Sequence, residues 1–273
     1  MRRRLLPLLL AGVPLLAAVS YQTEIAQWRR LREAGLRRDG GWLTVTGLFW
    51  LHQGANRFGT AAGNDIVVPA GPARAGVFTL HQGKVTATID GQTRTLRPDT
   101  DDVVQAGRLR LSVIQRSDRV GIRMKDPLSP FLRDFHGLDY FPASEEYRVT
   151  ARFIPQPRKI AIANIIGQTG PEDSPGYVVF QLHGKQFRLT PVYDDPADKS
   201  LFFVFKDATA GKETYGAGRF LDSDPPKDGK VVLDFNRAYN PPCAFTPYAT
   251  CPLPPAENRL AVRIEAGERK YGH

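Results

Sequence analysis

Cysteine is nearly absent from this 273-residue chain: there are two, Cys243 and Cys251, both in one stretch. So few cysteines cannot form a disulfide framework that replaces a core, so folding must rest on hydrophobic burial. Long apolar runs are equally scarce. Leu5 to Val19 is one such run, interrupted by Gly12, Pro7 and Pro14. It falls short of the ~20 residues needed to span a membrane. Behind Arg2, Arg3 and Arg4 it fits the charged and apolar regions of an export signal, with Ala18 and Ser20 suited to cleavage after Ser20. Residues 1–20 are therefore expected to be a signal peptide. The rest is expected to be periplasmic or secreted, with no membrane span after cleavage. Blocks of one charge are missing too. The net charge is +9, and losing the three leader arginines leaves +6. Basic residues are dispersed and do not interleave with aromatics, which excludes a nucleic-acid footprint. His52, His81, His136 and His183 stand apart, none at metal-ligand spacing from another, so neither a metal nor a cofactor is expected.

Helical periodicity is confined to one segment. From Gln22 to Arg38, Ile25, Trp28, Leu31 and Leu36 make an apolar stripe that Gly40-Gly41 ends. Beyond it the chain reads as short strands. They are Trp42–Leu51, Asp65–Pro69, Val77–Gln82, Lys84–Asp90, Gln92–Arg97, Arg108–Gln115 and Arg119–Lys125, with turn residues between them. Asp126 to Glu146 breaks this rhythm, with a short helix expected from Phe131 to Phe135. Strands resume at Tyr147–Ile154, Lys159–Ile165, Tyr177–Leu182, Gln186–Val192, Leu201–Phe205, Tyr215–Leu221, Val231–Asn236 and Arg259–Ile264. The pattern predicts an all-β fold, an antiparallel β-sandwich or barrel with one N-terminal helix. Residues 21–273 are expected to form a single mainly-β domain, with two β halves meeting near 126–146 as the alternative.

What the chain does have, in quantity, is proline in one place. Asp234 to Leu260 holds six of the 22 prolines in 27 residues, together with both cysteines. Proline fixes φ and removes a donor, so this is neither helix interior nor central strand. Long ordered loops are usually functional. In an exported protein, Cys243 and Cys251 are expected to form a disulfide that holds the loop. Strand alternation and the Asp228-Gly229 turn place Arg219 opposite Asp234, an ion pair within reach. A ligand site is expected from Arg219, Asp234, Asn236, Tyr239, Asn240, Glu257 and Asn258, with Tyr239 and Tyr248 offering ring faces.

Four stretches resemble one family of uncharacterised bacterial proteins, the domain-of-unknown-function family numbered 1684. They are GWLTVTGLFWL from Gly41, RDFHGLDYFP from Arg133, SLFFVFKDATAGKETYGAGRFL from Ser200 and KVVLDFNRAYNPPCAFTPYATCPLPPAENRL from Lys230. The resemblance implies an exported, mainly β protein, often lipid-anchored. This chain departs there, with no Cys at the signal boundary. No activity comes with the resemblance. From the residues, the leading expectation is an envelope protein that binds a small polar ligand such as a sugar. The alternatives are an envelope hydrolase using Glu257 and Asp234 as acid and base, and a structural envelope protein with no small-molecule site.

Overall fold

The computed structural model describes residues 20–194, 196–197 and 199–272. The expected signal peptide lies outside the described residues except for Ser20. That residue caps α1 (Tyr21–Arg37), its hydroxyl accepting from the Thr23 N–H. Ile25 and Leu36 of the expected stripe are buried, but Leu31 is 65% exposed. The helix is also held through polar contacts, described below. No helix among the described residues is long and apolar enough to cross a membrane.

The first nine strands are β1 (Val45–Trp50), β2 (Gly54–Gly59), β3 (Ile66–Val67), β4 (Gly76–His81), β5 (Lys84–Ile89), β6 (Gln92–Leu96), β7 (Val103–Ala106), β8 (Leu109–Arg116) and β9 (Arg119–Lys125). They form two sheets, in the orders β1-β9-β8-β7 and β3-β2-β4-β5-β6. Both sheets turn their apolar alternation onto one core. Phe58, Phe78, Val85 and Leu96 come from the second sheet, and Leu109, Leu111, Val113 and Ile122 from the first. The turns are those the sequence marks. Gln82-Gly83 and Asp90-Gly91 take positive φ at both positions, the geometry of a tight hairpin.

The short helix is α2 (Pro130–Arg133), capped by Ser129. Seven strands follow: β10 (Arg148–Ala163), β11 (Thr169–Leu182), β12 (Lys185–Leu189), β13 (Val192–Tyr193), β14 (Leu201–Phe205), β15 (Arg219–Ser223) and β16 (Lys230–Asp234). They make sheets in the orders β12-β11-β10-β16 and β13-β14-β15. These enclose a second core that includes Phe180, Phe203, Phe205, Leu221, Leu233 and Phe235. The fold is thus mainly antiparallel strands in paired sheets, with one N-terminal helix. Between the cores, Leu36, Leu43, Phe135 and Phe245 form a third cluster that joins α1, the 126–146 segment and the proline-rich loop.

Several boundaries differ from expectation. β2 and β7 were not foreseen; in β2, Gly-Ala-Asn-Arg-Phe-Gly has poor strand propensity and is recruited by its pairing with β4. Tyr147–Ile154 and Lys159–Ile165 are one strand, β10, whose register shifts between Pro155 and Arg158. Prolines are tolerated at such an irregularity. Arg259–Ile264 is not a strand; it touches Lys206 through a single bridge. The Asp228-Gly229 turn forms, but the strands on either side of it do not pair. β15 pairs β14, while β16 pairs β10.

Candidate functional site

That change of pairing separates Arg219 from Asp234. Arg219 is 1% exposed and binds Asp207 at 3.2 Å, across the first turn after β14. Its guanidinium also donates to the carbonyls of Ala266 and, at 3.0 Å, Ile264. Asp234 instead accepts from the Tyr21 hydroxyl at 2.8 Å and from the Asn236 N–H at 3.1 Å, with Arg237 Nε at 3.5 Å. The expected pair is therefore replaced by two separate ones.

The other expected site residues are mostly spent inside the protein. Asn236, fully buried, donates to Ser144 O at 2.7 Å and accepts from Ser144 N at 3.0 Å. The Asn240 N–H meets Glu268 Oε2 at 2.7 Å, and its side-chain amide donates to Arg269 O at 2.7 Å. Asn258 accepts from Thr190 N and donates to Thr190 O and Val204 O, all within 2.9 Å. These side chains satisfy backbone groups that prolines and irregular turns leave unpaired. Glu257 is half-exposed and pairs with Arg158 at 2.6 Å. It does not line the cleft that Asp234 borders, so the two do not face one another as an acid–base pair. Tyr248 lies outside that cleft as well. Cys243 and Cys251 are unbonded thiols, the Cys243 N–H donating to Cys251 Sγ at 3.2 Å.

Apart from Asp234, the residues that line open space are different ones. β15 and β16 are the edges of their two sheets and run near each other with no ladder between them. α1 closes the end of this gap. Its Tyr21 bonds Asp234, its Glu24 pairs with Arg237 and Arg148, and its Arg29 and Arg32 bond the carbonyls of Phe141 and Asn240. The result is a cleft of about 470 Å³ lined by Glu24, Trp28, Arg148, Asp194, Ser200, Asp222, Ser223, Asp224, Val232, Asp234 and Arg237. Its five carboxylates meet two guanidiniums. Both guanidiniums are already engaged, Arg148 with Glu24 and Arg237 with Glu24 and Asp234. Asp194, Asp222 and Asp224 have no ion-pair partner among the described residues.

Asp222 is the most perturbed of them. Its surface opens to the cleft, yet the protein walls around it replace much of the bulk water. That loss of hydration, with Asp194 adding repulsion, pushes the carboxyl up to about 6, against the pull of the Tyr239 hydroxyl and Arg32. Tyr239 donates to Asp222 Oδ1 at 3.2 Å, and Arg32 stacks 4.6 Å over the Tyr239 ring while binding Glu268 at 2.7 Å. Of the expected residues, then, Asp234 lines the cleft and Tyr239 supports it. Glu24, Trp28, Asp194, Asp222 and Asp224 were missed. The alternation around Asp222 was a usable signal: a carboxylate beside Leu221 at a strand end, opposite no basic partner.

The family model for a protein of unknown function, DUF1684, matches residues 133–269. The chain belongs to the DUF1684 family. Asp194, Asp222, Asp224 and Asp234 lie inside the matched segment, as do both cysteines. Glu24 and Trp28, supplied by α1, lie outside it. A solved structure, the solution NMR structure of an uncharacterized protein from Haloarcula marismortui, is 33% identical to this chain. It covers 53% of this chain and 82% of its own, with a TM-score of 0.43. No curated protein matches.

Proposed function

We propose that this is an exported envelope protein that binds a small polyhydroxylated ligand, of the sugar class, in the cleft between β15 and β16. The observation that carries this reading is the convergence on a single cavity of one indole and three carboxylates that have no ion-pair partner among the described residues. Hydroxyl groups donate to carboxylates in charge-assisted bonds. The Trp28 face offers apolar area for the C–H side of a sugar ring. The volume falls within the usual range for small-molecule sites. Titration of mono- and oligosaccharides by calorimetry tests it. Wild-type protein binds, and Asp222→Asn and Trp28→Ala each weaken binding at least ~10-fold, about 1.4 kcal/mol. Equal binding by all three proteins contradicts the proposal.

A second reading, envelope hydrolase, is favoured by the raised Asp222 carboxyl. At mildly acidic pH it is protonated and can serve as a general acid, with Asp194 or Asp224 as the second carboxyl group. Turnover of oligosaccharides, lost in Asp222→Asn and falling as pH rises through about 6, supports that reading over simple binding.

Export itself is checked by sequencing the N-terminus of protein recovered from periplasm or medium. A chain beginning at Tyr21 is expected, and an intact Met1 contradicts it. In an oxidising compartment Cys243 and Cys251 close into a disulfide, for which their adjacency is the support. Non-reducing peptide mapping is expected to give a linked fragment. Reduction is expected to cost roughly 2–3 kcal/mol, because the closed loop is short.

A further inference from the structure

Away from that cleft, the first half carries a second open groove, of about 740 Å³, on the outer side of β2, β4 and β5. Arg57 on β2 and Arg74 on the loop before β4 both line it. Elsewhere the arginines are mostly engaged, by carboxylates as at Arg97, Arg108, Arg110 and Arg116, or stacked on rings as at Arg119 and Arg188. The Arg57 and Arg74 side chains have no such partner among the described residues. Asp65, the nearest acid in sequence to Arg57, is used on that residue's backbone N–H at 2.7 Å and stands 3.9 Å from His52. Asp90, at the rim, is the one acid lining the groove.

The backbone carrying the two arginines is fixed. Ala73 O accepts from Ala61 N at 3.0 Å and from Asn64 Nδ2 at 2.8 Å, and Ala75 N donates to Phe58 O at 2.8 Å. Arg74 is thus clamped on both sides. The floor is kept low by Gly76, where a Cβ would stand 2.5 Å from Thr88 O and 2.8 Å from the Phe58 ring. Two guanidiniums on a fixed backbone, lining one groove in which Asp90 is the one acid, can meet an oxyanion without backbone ordering.

We propose that the Arg57–Arg74 groove is a binding site for an oxyanion-bearing small ligand, whether phosphate, sulfate or carboxylate. It is separate from the acidic cleft and of opposite sign. Inorganic phosphate, sulfate and citrate are titrated separately into full-length protein at low salt, followed by NMR or calorimetry. Binding by at least one, saturating below about 10 mM, is expected. Which of the three binds most tightly identifies the oxyanion. Arg57→Gln and Arg74→Gln each weaken it at least ~10-fold. Arg152→Gln removes an exposed arginine, also without an ion pair, on β10. It is expected to change nothing, and all three variants should melt as the wild type does. No saturable binding of any of the three anions overturns the proposal. Equal weakening by Arg152→Gln also overturns it, because the effect would then be diffuse positive charge.

Discussion

The proline-rich loop and the β15–β16 cleft share Asp234 and Arg237, yet their other polar residues serve opposite ends. In the loop, Asn236, Asn240 and Asn258 turn inward and hydrogen-bond to backbone groups. In the cleft, Asp194, Asp222 and Asp224 line open space, with no ion-pair partner among the described residues. Polar residues in a stretch of irregular backbone have a prior claim on them, the unpaired N–H and C=O groups around them. The cleft aspartates Asp194, Asp222 and Asp224 make no such side-chain bond to backbone among the described residues. A cluster of hydrogen-bonding residues in a proline-rich loop is therefore a sign of scaffold before it is a sign of a site.

The largest expected effect lies in the scaffold. Arg219→Met leaves Asp207 buried without its partner and releases the carbonyls of Ile264 and Ala266. It should destabilise by about 3–5 kcal/mol in chemical denaturation. Asn258→Ala comes next, at about 1–3 kcal/mol, because it strands Thr190 and Val204 backbone groups in a dry site. Sugar affinity per folded molecule should be unchanged in both. A loss of affinity with no loss of stability would move the site back to the loop.

Asp222→Asn is expected to do the reverse, weakening ligand with little thermal cost. Its pH signature has a definite sign. The folded carboxyl sits above its ordinary value, so its contribution to stability is full at low pH and declines as pH rises through about 6. Wild type and Asp222→Asn should therefore melt together below about pH 4, and the variant should melt higher above pH 6. For a ligand donating hydroxyls to Asp222, wild-type affinity should climb between pH 5 and 7, about the raised value, and be flat in the variant. Glu257→Gln should be the smallest change, within about 1 kcal/mol and silent in binding, since its pair with Arg158 is solvent-exposed.

Much of the secondary structure was legible because period-two alternation and positive-φ turn residues such as Asp90-Gly91 are local signals. Pairing across Asp228-Gly229 was not. A turn signal reports that the chain reverses and says nothing about which sheet each arm joins, and here the arms go to different sheets. The site was legible only at Asp234. Its other walls come from α1 and from the segments around Asp194 and Asp222, far apart in sequence and joined only by packing. The stripe on α1 pointed to core, and Trp28 indeed touches Tyr140 edge-on at 6.5 Å. That the same residue also lines a cavity depends on β15 and β16 remaining unpaired.

A structure of the protein soaked with envelope saccharides tests the central claim most directly. The account predicts sugar density against the Trp28 ring, with a hydroxyl within hydrogen-bond distance of Asp222. Density beside Asn236 and Asn240, with the cleft empty, would contradict it.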